Sequence, residues 1–294
     1  MDDHRLFDKP LLAQRRRTIL QKNIDGADFL LKATIQDFAE RLQFVSRQFE
    51  IGIDLGAHSA DVTQTLRESG KVQTVLRADL FDPLPNASAP HMVVDDQSPP
   101  LAPESVDLIV SLLNLQVVDD LPGTLAQIRR CLRPDGLFLA TVFGSGTLAE
   151  LRDSLLHAEM ELSGGISPRV IPFAETRDLG SLLQRAGFTL PVTDVDRVTV
   201  RYNTMFDLMK DLREMGAANP LLARQKHFTS KQLFMKAAQY YAQNYSDPDG
   251  RIRATFTFTS LSGWAPHESQ QKPLKPGSAK VNLADALGAK EIKI

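Results

Sequence analysis

Between residues 50 and 143 the chain repeats one pattern, in which a short apolar run gives way to a turn and then a helix-like stretch. Residues 50–56 (EIGIDLG) end in Asp-Leu-Gly, and residues 60–69 after them have helical spacing. Residues 72–79, 91–96, 106–114 and 137–143 supply four more strand candidates. Residues 121–132 place Leu121, Leu125, Ile128 and Leu132 on one helical face, and Arg133-Pro134-Asp135-Gly136 makes a turn before the fifth strand. None of the five runs alternates polar with apolar residues. A strand that is apolar on both sides has to be covered on both sides, and strands joined through helices run parallel. The pattern predicts a doubly wound α/β protein with a mostly parallel, Rossmann-like sheet.

The flanking regions add helices and one more piece of sheet. Pro10 is placed to open a helix through Arg15-Arg16-Arg17, whose three charges we read as a solvated face in preference to a ligand clamp. A second helix from about Asp28 carries Leu31, Ile35, Phe38, Leu42 and Val45 on one stripe. After the fifth strand, residues 147–162, 178–186, 204–215 and 230–244 read as helices, and residues 192–202 as a strand. Residues 251–264, rich in Thr and Phe, read as a final edge strand. The expected organisation is an arm (1–48), a core (49–202), a helical insertion (203–250), a last strand (251–266) and a tail (267–294) that orders only on contact.

Composition narrows the function. A net charge of -2 and a pI near 6.3 do not suit a general nucleic-acid or membrane-surface binder. The one cysteine, Cys131, excludes an internal disulfide and a cysteine-based zinc site, and we expect it to be packing. No stretch approaches the about 20 apolar residues of a spanning helix. The acidic start Met1-Asp2-Asp3-His4 predicts neither a secretory signal nor a transit peptide, hence a cytosolic chain or a mature form already at its site of action. His157-Ala158-Glu159 has the spelling of an iron site, but helix positions i and i+2 diverge, so a surface pair and no metal are expected. Asp119-Asp120 reads as a helix cap.

Ligands of such a sheet bind at the carboxyl ends of its strands. There the first strand–helix junction reads Asp54-Leu55-Gly56-Ala57-His58-Ser59-Ala60. Gly56 allows the backbone to approach a cofactor, and the next helix offers free N–H groups to a carboxylate. Asp79, 23 residues beyond Gly56 at the end of the second strand, suits a ribose diol, and Asp95-Asp96 after the third suits an adenine amino group. Leu80 and Leu112 are expected as flanking walls. His58 has three readings: a contact to the cofactor carboxylate, an acid/base near neutral pH, or mere filling of the pocket.

Asp54-Leu55-Gly56, Asp95-Asp96 with Pro100, Ser105-Val106-Asp107 and Leu132-Arg133-Pro134-Asp135-Gly136 resemble the successive motifs of class I S-adenosylmethionine (SAM)-dependent methyltransferases. The wording is similar to a branch shared by the methyltransferase of early biotin synthesis and the mitochondrial complex I assembly-factor methyltransferases. With the assembly factors the likeness spans nearly the whole chain: Phe7-Asp8 to Arg17, Phe143-Gly144 to Arg152, Pro172-Phe173, Asp178-Leu179-Gly180, Met205-Phe206, Gly263-Trp264 and His267 to Gln270. Two departures stand out. The family loop has glycine at three alternate positions where this chain has Gly56, His58 and Ala60, and Gln116-Val117 replaces a common His-Trp.

The resemblance implies a seven-stranded sheet with SAM at Asp54, Gly56, His58, Asp79, Leu80, Asp95, Asp96 and Leu112. It implies methyl transfer without an assigned catalytic side chain, in the bacterial cytoplasm or on the mitochondrial matrix side. The arm, residues 204–215 and 230–244 and the tail favour a protein acceptor, by the resemblance a respiratory complex I subunit, over a small molecule capped by the same helices. Two other functions fit the same branch. One is hydroxylation of an arginine, the other a non-catalytic role in complex I assembly.

Overall fold

The structure is a computed structural model that describes residues 5–22, 24–57, 59–81, 90–271 and 278. Two helices lead, α1 (Lys9–Lys22) and α2 (Phe29–Gln43). The alternating region follows as β1 (Phe49–Leu55), α3 (Asp61–Glu68), β2 (Val72–Asp79), β3 (His91–Val93), β4 (Val106–Leu112), α4 (Leu121–Cys131) and β5 (Leu132–Phe143). Then come α5 (Ala149–Ser163), α6 (Thr176–Arg185), β6 (Thr189–Tyr202), α7 (Met205–Glu214), α8 (Lys231–Tyr245) and β7 (Ile252–Trp264).

The seven strands form one sheet in the order β3-β2-β1-β4-β5-β7-β6. β1 to β5 pair in parallel, and β7 pairs antiparallel with both β5 and β6. The order reverses between β1 and β4, and the crevice at their carboxyl ends is where an open sheet of this kind takes a ligand. Apolar runs on both faces are used as expected, since all seven residues of β4 are buried. Leu30, Leu31, Phe38 and Leu42 of α2 pack on one face with α5, α7 and α8. Leu125 and Ile128 of α4 and Leu179 and Leu183 of α6 pack on the other. The stripe on α2 is therefore core, and the arm proper is α1.

Helix starts follow local chemistry. Asp120 accepts from Gly123 N at 2.9 Å to cap α4, as its sequence implies, and Thr204 with Asp207 forms a capping box on α7. Cys131 ends α4 fully buried.

Four expectations are corrected. β7 is not an edge strand: it lies between β5 and β6, because its Thr/Phe run is paired on both sides and β6 takes the edge. Arg133 to Gly136 do not precede the fifth strand but bulge inside it, with Asp135 at φ 62°, as the register passes from Val106↔Leu132 to Leu108↔Leu137. β3 stops at Val93, leaving Asp95 and Asp96 in a loop. Finally, Arg15 to Arg17 are not a solvated face. Arg16 is buried, Arg15 is half-buried with its guanidinium on the Ala218 and Asn219 carbonyls, and only Arg17 is exposed.

Candidate functional site

Gly56 ends β1 at φ 76°, with its N–H donating to Ala78 O at 2.7 Å. The side chain of Asn114, just past β4, lies against it so closely that no Cβ fits there. Asp54, fully buried, accepts from Thr63 Oγ1 at 2.5 Å through Oδ2, while its Oδ1 has no partner among the described residues. Burial pushes its pKa up to about 7, against the opposing pull of the Thr63 bond and Arg77.

Asp79 ends β2, also fully buried. Its Oδ2 accepts from Arg77 Nη2 at 2.9 Å and its Oδ1 from Leu80 N at 2.9 Å. The same Arg77 nitrogen donates to Ala57 O at 3.0 Å and so ties β2 to the glycine turn. Burial raises the Asp79 pKa, with Arg16 and Arg77 working against it.

Of the two acids after β3, only Asp96 is in the site. It is buried, accepting from Lys9 Nζ at 2.7 Å and from Asn114 Nδ2 at 2.9 Å. Asp95 is exposed and accepts from Gln97 N at 3.1 Å, closing its own turn. Arg16 completes the cluster by donating from Nη1 to Asn114 Oδ1 at 2.8 Å.

A cavity of about 890 Å³ adjoins this cluster. Ser59 and Asp61 at the start of α3, Leu113, Gln116, Arg16 and Met209 are on its wall. Gln116 donates to Leu113 O at 2.7 Å, and its buried Oε1 has no partner among the described residues.

The structure thus brings Asp54, Gly56, Asp79 and Asp96 together at one sheet end, with Leu80 beside them. It does not bring Asp95 there. Leu112 lines a separate cavity of about 160 Å³ beneath α2, while Leu113, at φ 52°, lines the large one. His58 lies outside the described residues, as do residues 272–277 and 279–294 of the expected tail. Glu159 is not a surface residue; it is buried against Ser167 N and Arg169, while His157 stacks on Tyr240. Sequence reasoning missed Lys9, Arg16, Arg77, Asn114 and Gln116. Asn114 alone had a usable signal, a polar residue closing an apolar strand.

A family model described as a methyltransferase domain matches residues 28–191. The chain is 34% identical over 283 residues to the protein named arginine-hydroxylase NDUFAF5, mitochondrial, of Danio rerio, covering 92% of this chain and 88% of that protein. To its namesake in Dictyostelium discoideum it is 45% identical over 196 residues, 66% of this chain and 45% of that protein. To malonyl-[acyl-carrier protein] O-methyltransferase 1 of Coxiella burnetii it is 32% identical over 235 residues, 80% of each. Among solved structures, the YcgJ protein of Bacillus subtilis superposes with TM-score 0.54 at 11% identity, covering 80% of this chain and 99% of that one, which is a likeness of fold.

The cofactor of this domain is SAM, and the residues present fit it. There is a buried acid at the end of β2 and another after β3, a left-handed glycine where backbone must come close, and an unpartnered buried acceptor on Asp54. The chain belongs to the methyltransferase-domain family, in the group that includes the NDUFAF5 proteins.

Proposed function

We propose that this chain is a SAM-dependent methyltransferase whose acceptor is a side chain of a protein, a subunit of respiratory complex I. The observation that carries the reading is the cavity of about 890 Å³ that starts at Ser59–Asp61 and Leu113 and runs out under α1 and α7. Cofactor and acceptor ends share one space, and much of its outer wall comes from elements beyond the 28–191 family match: Ile19, Leu20, Met209, Met215 and Phe234. That wall sets apolar side chains beside Arg15, Arg213, Glu214 and Arg224, a mixed lining suited to a long side chain with an apolar stem and a polar tip.

In this reading Asp79 and Asp96 hold ribose and adenine, Gly56 lets the backbone approach, and Asp54 offers its unpaired oxygen to an N–H donor. When bound, SAM supplies a methyl group on an electrophilic sulfonium. The protein's part is to align the acceptor and exclude water. Gln116 Oε1 is an acceptor available to orient the incoming N–H or O–H. We assign no catalytic side chain.

A second reading is hydroxylation of an arginine, favoured by the name of the Danio rerio relative, of which this chain covers 88%. There a C–H becomes C–OH, with dioxygen and a two-electron donor as co-reactants. Intact-mass spectrometry of the partner separates the two, since methylation adds a methylene and hydroxylation an oxygen. The partner is first sought by pull-down from native extract with the full chain. A SAM-binding protein that changes the mass of no partner would be the non-catalytic assembly factor.

A further inference from the structure

We propose that α1 is a latch that competes with the cofactor for its own site, its Lys9 and Arg16 standing in for the donors that ribose and adenine would bring. The proposal rests on the reading that SAM binds here.

Two acids of the site, Asp96 and Asp79, are already engaged on both oxygens from within the chain. Asp96 accepts from Lys9 Nζ at 2.7 Å and from Asn114 Nδ2 at 2.9 Å, one bond on each oxygen. The oxygens of Asp79 are likewise taken by Arg77 and by Leu80 N. Arg16 grips Asn114 from above at 2.8 Å and is only 5% exposed. Its guanidinium lies within electrostatic reach of both Asp79 and Asp96. A ligand that bonds to Asp96 therefore competes with the Lys9 ammonium for the same buried carboxylate, and one that reaches past Asn114 meets Arg16.

The physical reason for such an arrangement is charge. Two fully buried carboxylates in an empty site are costly, and a cation brought in by the arm stabilises the cofactor-free state. What holds α1 in place is otherwise slight. Leu12 is the only apolar residue of α1 that is buried. Just before the helix, Leu6 N and Phe7 N donate to Asp119 Oδ1 at 2.7 and 2.9 Å, and the remaining polar ties run to one outer segment, between α7 and α8. Asp8 N donates to Pro220 O at 2.8 Å, Arg224 pairs with Asp8 at 2.9 Å, and Arg15 donates to the Ala218 and Asn219 carbonyls. The helix can leave as a unit once its two cations are replaced, and residues 218–224 are where a bound protein would pull on it.

The test uses the full chain and two readouts, the calorimetric dissociation constant for SAM and the rate of tryptic cleavage at Arg15, Arg17 and Lys22. Lys9→Met is expected to tighten SAM binding by about three- to tenfold, the loss of one charge-assisted competitor. The exposed Arg17→Met serves as control and should leave it unchanged. Saturating SAM should also speed cleavage of the arm in the unaltered protein. Arg16→Met adds to the effect if circular dichroism shows it folded; if it is unfolded, Lys9→Met decides alone. SAM binding that is equal or weaker in Lys9→Met overturns the latch, and so does an arm no more cleavable with SAM than without it. If folded protein binds no SAM with or without Lys9, the cofactor reading itself fails and the latch falls with it.

Discussion

Asn114 stands where a side chain on residue 56 would have to go: a Cβ built on Gly56 lies 2.1 Å from Asn114 Nδ2 and 2.3 Å from its Cγ. Asn114 cannot step aside freely, because its amide nitrogen is bonded to Asp96 and its oxygen to Arg16. Gly56→Ala must therefore strain the turn or break the cluster. The left-handed backbone alone costs about 1–2 kcal/mol with a β-carbon. We expect at least that loss in urea melts, together with a SAM dissociation constant raised at least tenfold by calorimetry.

Asp79 and Asp95 separate what the geometry separates. Asp79→Asn keeps the shape but removes the charge, at a cost of about 1.5–3 kcal/mol in cofactor binding, or about ten- to a hundredfold in dissociation constant. It also leaves Arg77 buried without its counter-charge, so a lower melting temperature is expected. Asp95→Ala, altering an exposed turn residue, should leave the dissociation constant unchanged. Equal losses in the two variants would return Asp95 to the site.

Asp54 sets a pH dependence. Its pKa is raised from 3.8 to about 7 by burial, so between those values the folded chain keeps a proton that the unfolded chain gives up. Stability from this group is present below the unfolded value and is lost as pH rises through the folded one, on the order of 4 kcal/mol at most. Denaturant melts should show that decline between about pH 4 and about pH 7, and Asp54→Asn should flatten it. A wild-type curve that climbs across the window, or an unchanged slope in the variant, would mean that Asp54 stays ionised in the folded state.

How far the sequence carries is clear from particular residues. The parallel core was legible because β1, β4 and β5 are mostly apolar without a strict two-residue alternation, and burial on both faces leaves that mark. Asp54 and Asp79 stand in the last residues of β1 and β2, where the sequence pattern put them, whereas Asp96 reaches the cluster from the loop after β3. The place of β7 was not legible, since strand propensity says nothing about how many neighbours a strand has. Leu112 and Leu113 differ by one residue and share one core cluster but line different cavities, and no local pattern shows which. Arg16 was the hardest: three successive arginines look like a wet helix face, and nothing local reveals that the middle one meets an asparagine 98 residues away.

The outer wall of the large cavity has its own tie. Buried Glu159 accepts from Ser167 N at 2.9 Å and from Arg169 Nε at 2.8 Å, and Arg169 in turn reaches Gln225 Oε1 at 2.6 Å and Thr229 Oγ1 at 3.1 Å. One carboxylate thus joins two wall segments of the large cavity, 168–173 and 224–225. Burial raises the Glu159 pKa, but the bonds from Ser167 and Arg169 outweigh it and hold the carboxyl below its ordinary value. That stabilisation is present above the unfolded pKa and lost as pH falls through the folded one. Glu159→Gln keeps the size and removes the charge, so the wall should loosen at a cost of about 1–3 kcal/mol. Calorimetry should find SAM affinity within about twofold of the original, since the pair lies outside the cofactor cluster. Hydrogen exchange of residues 164–173 should quicken and affinity for the protein acceptor fall. A variant that loses SAM and acceptor binding together, while still folded by circular dichroism, would show that the two halves of the cavity are coupled through this wall.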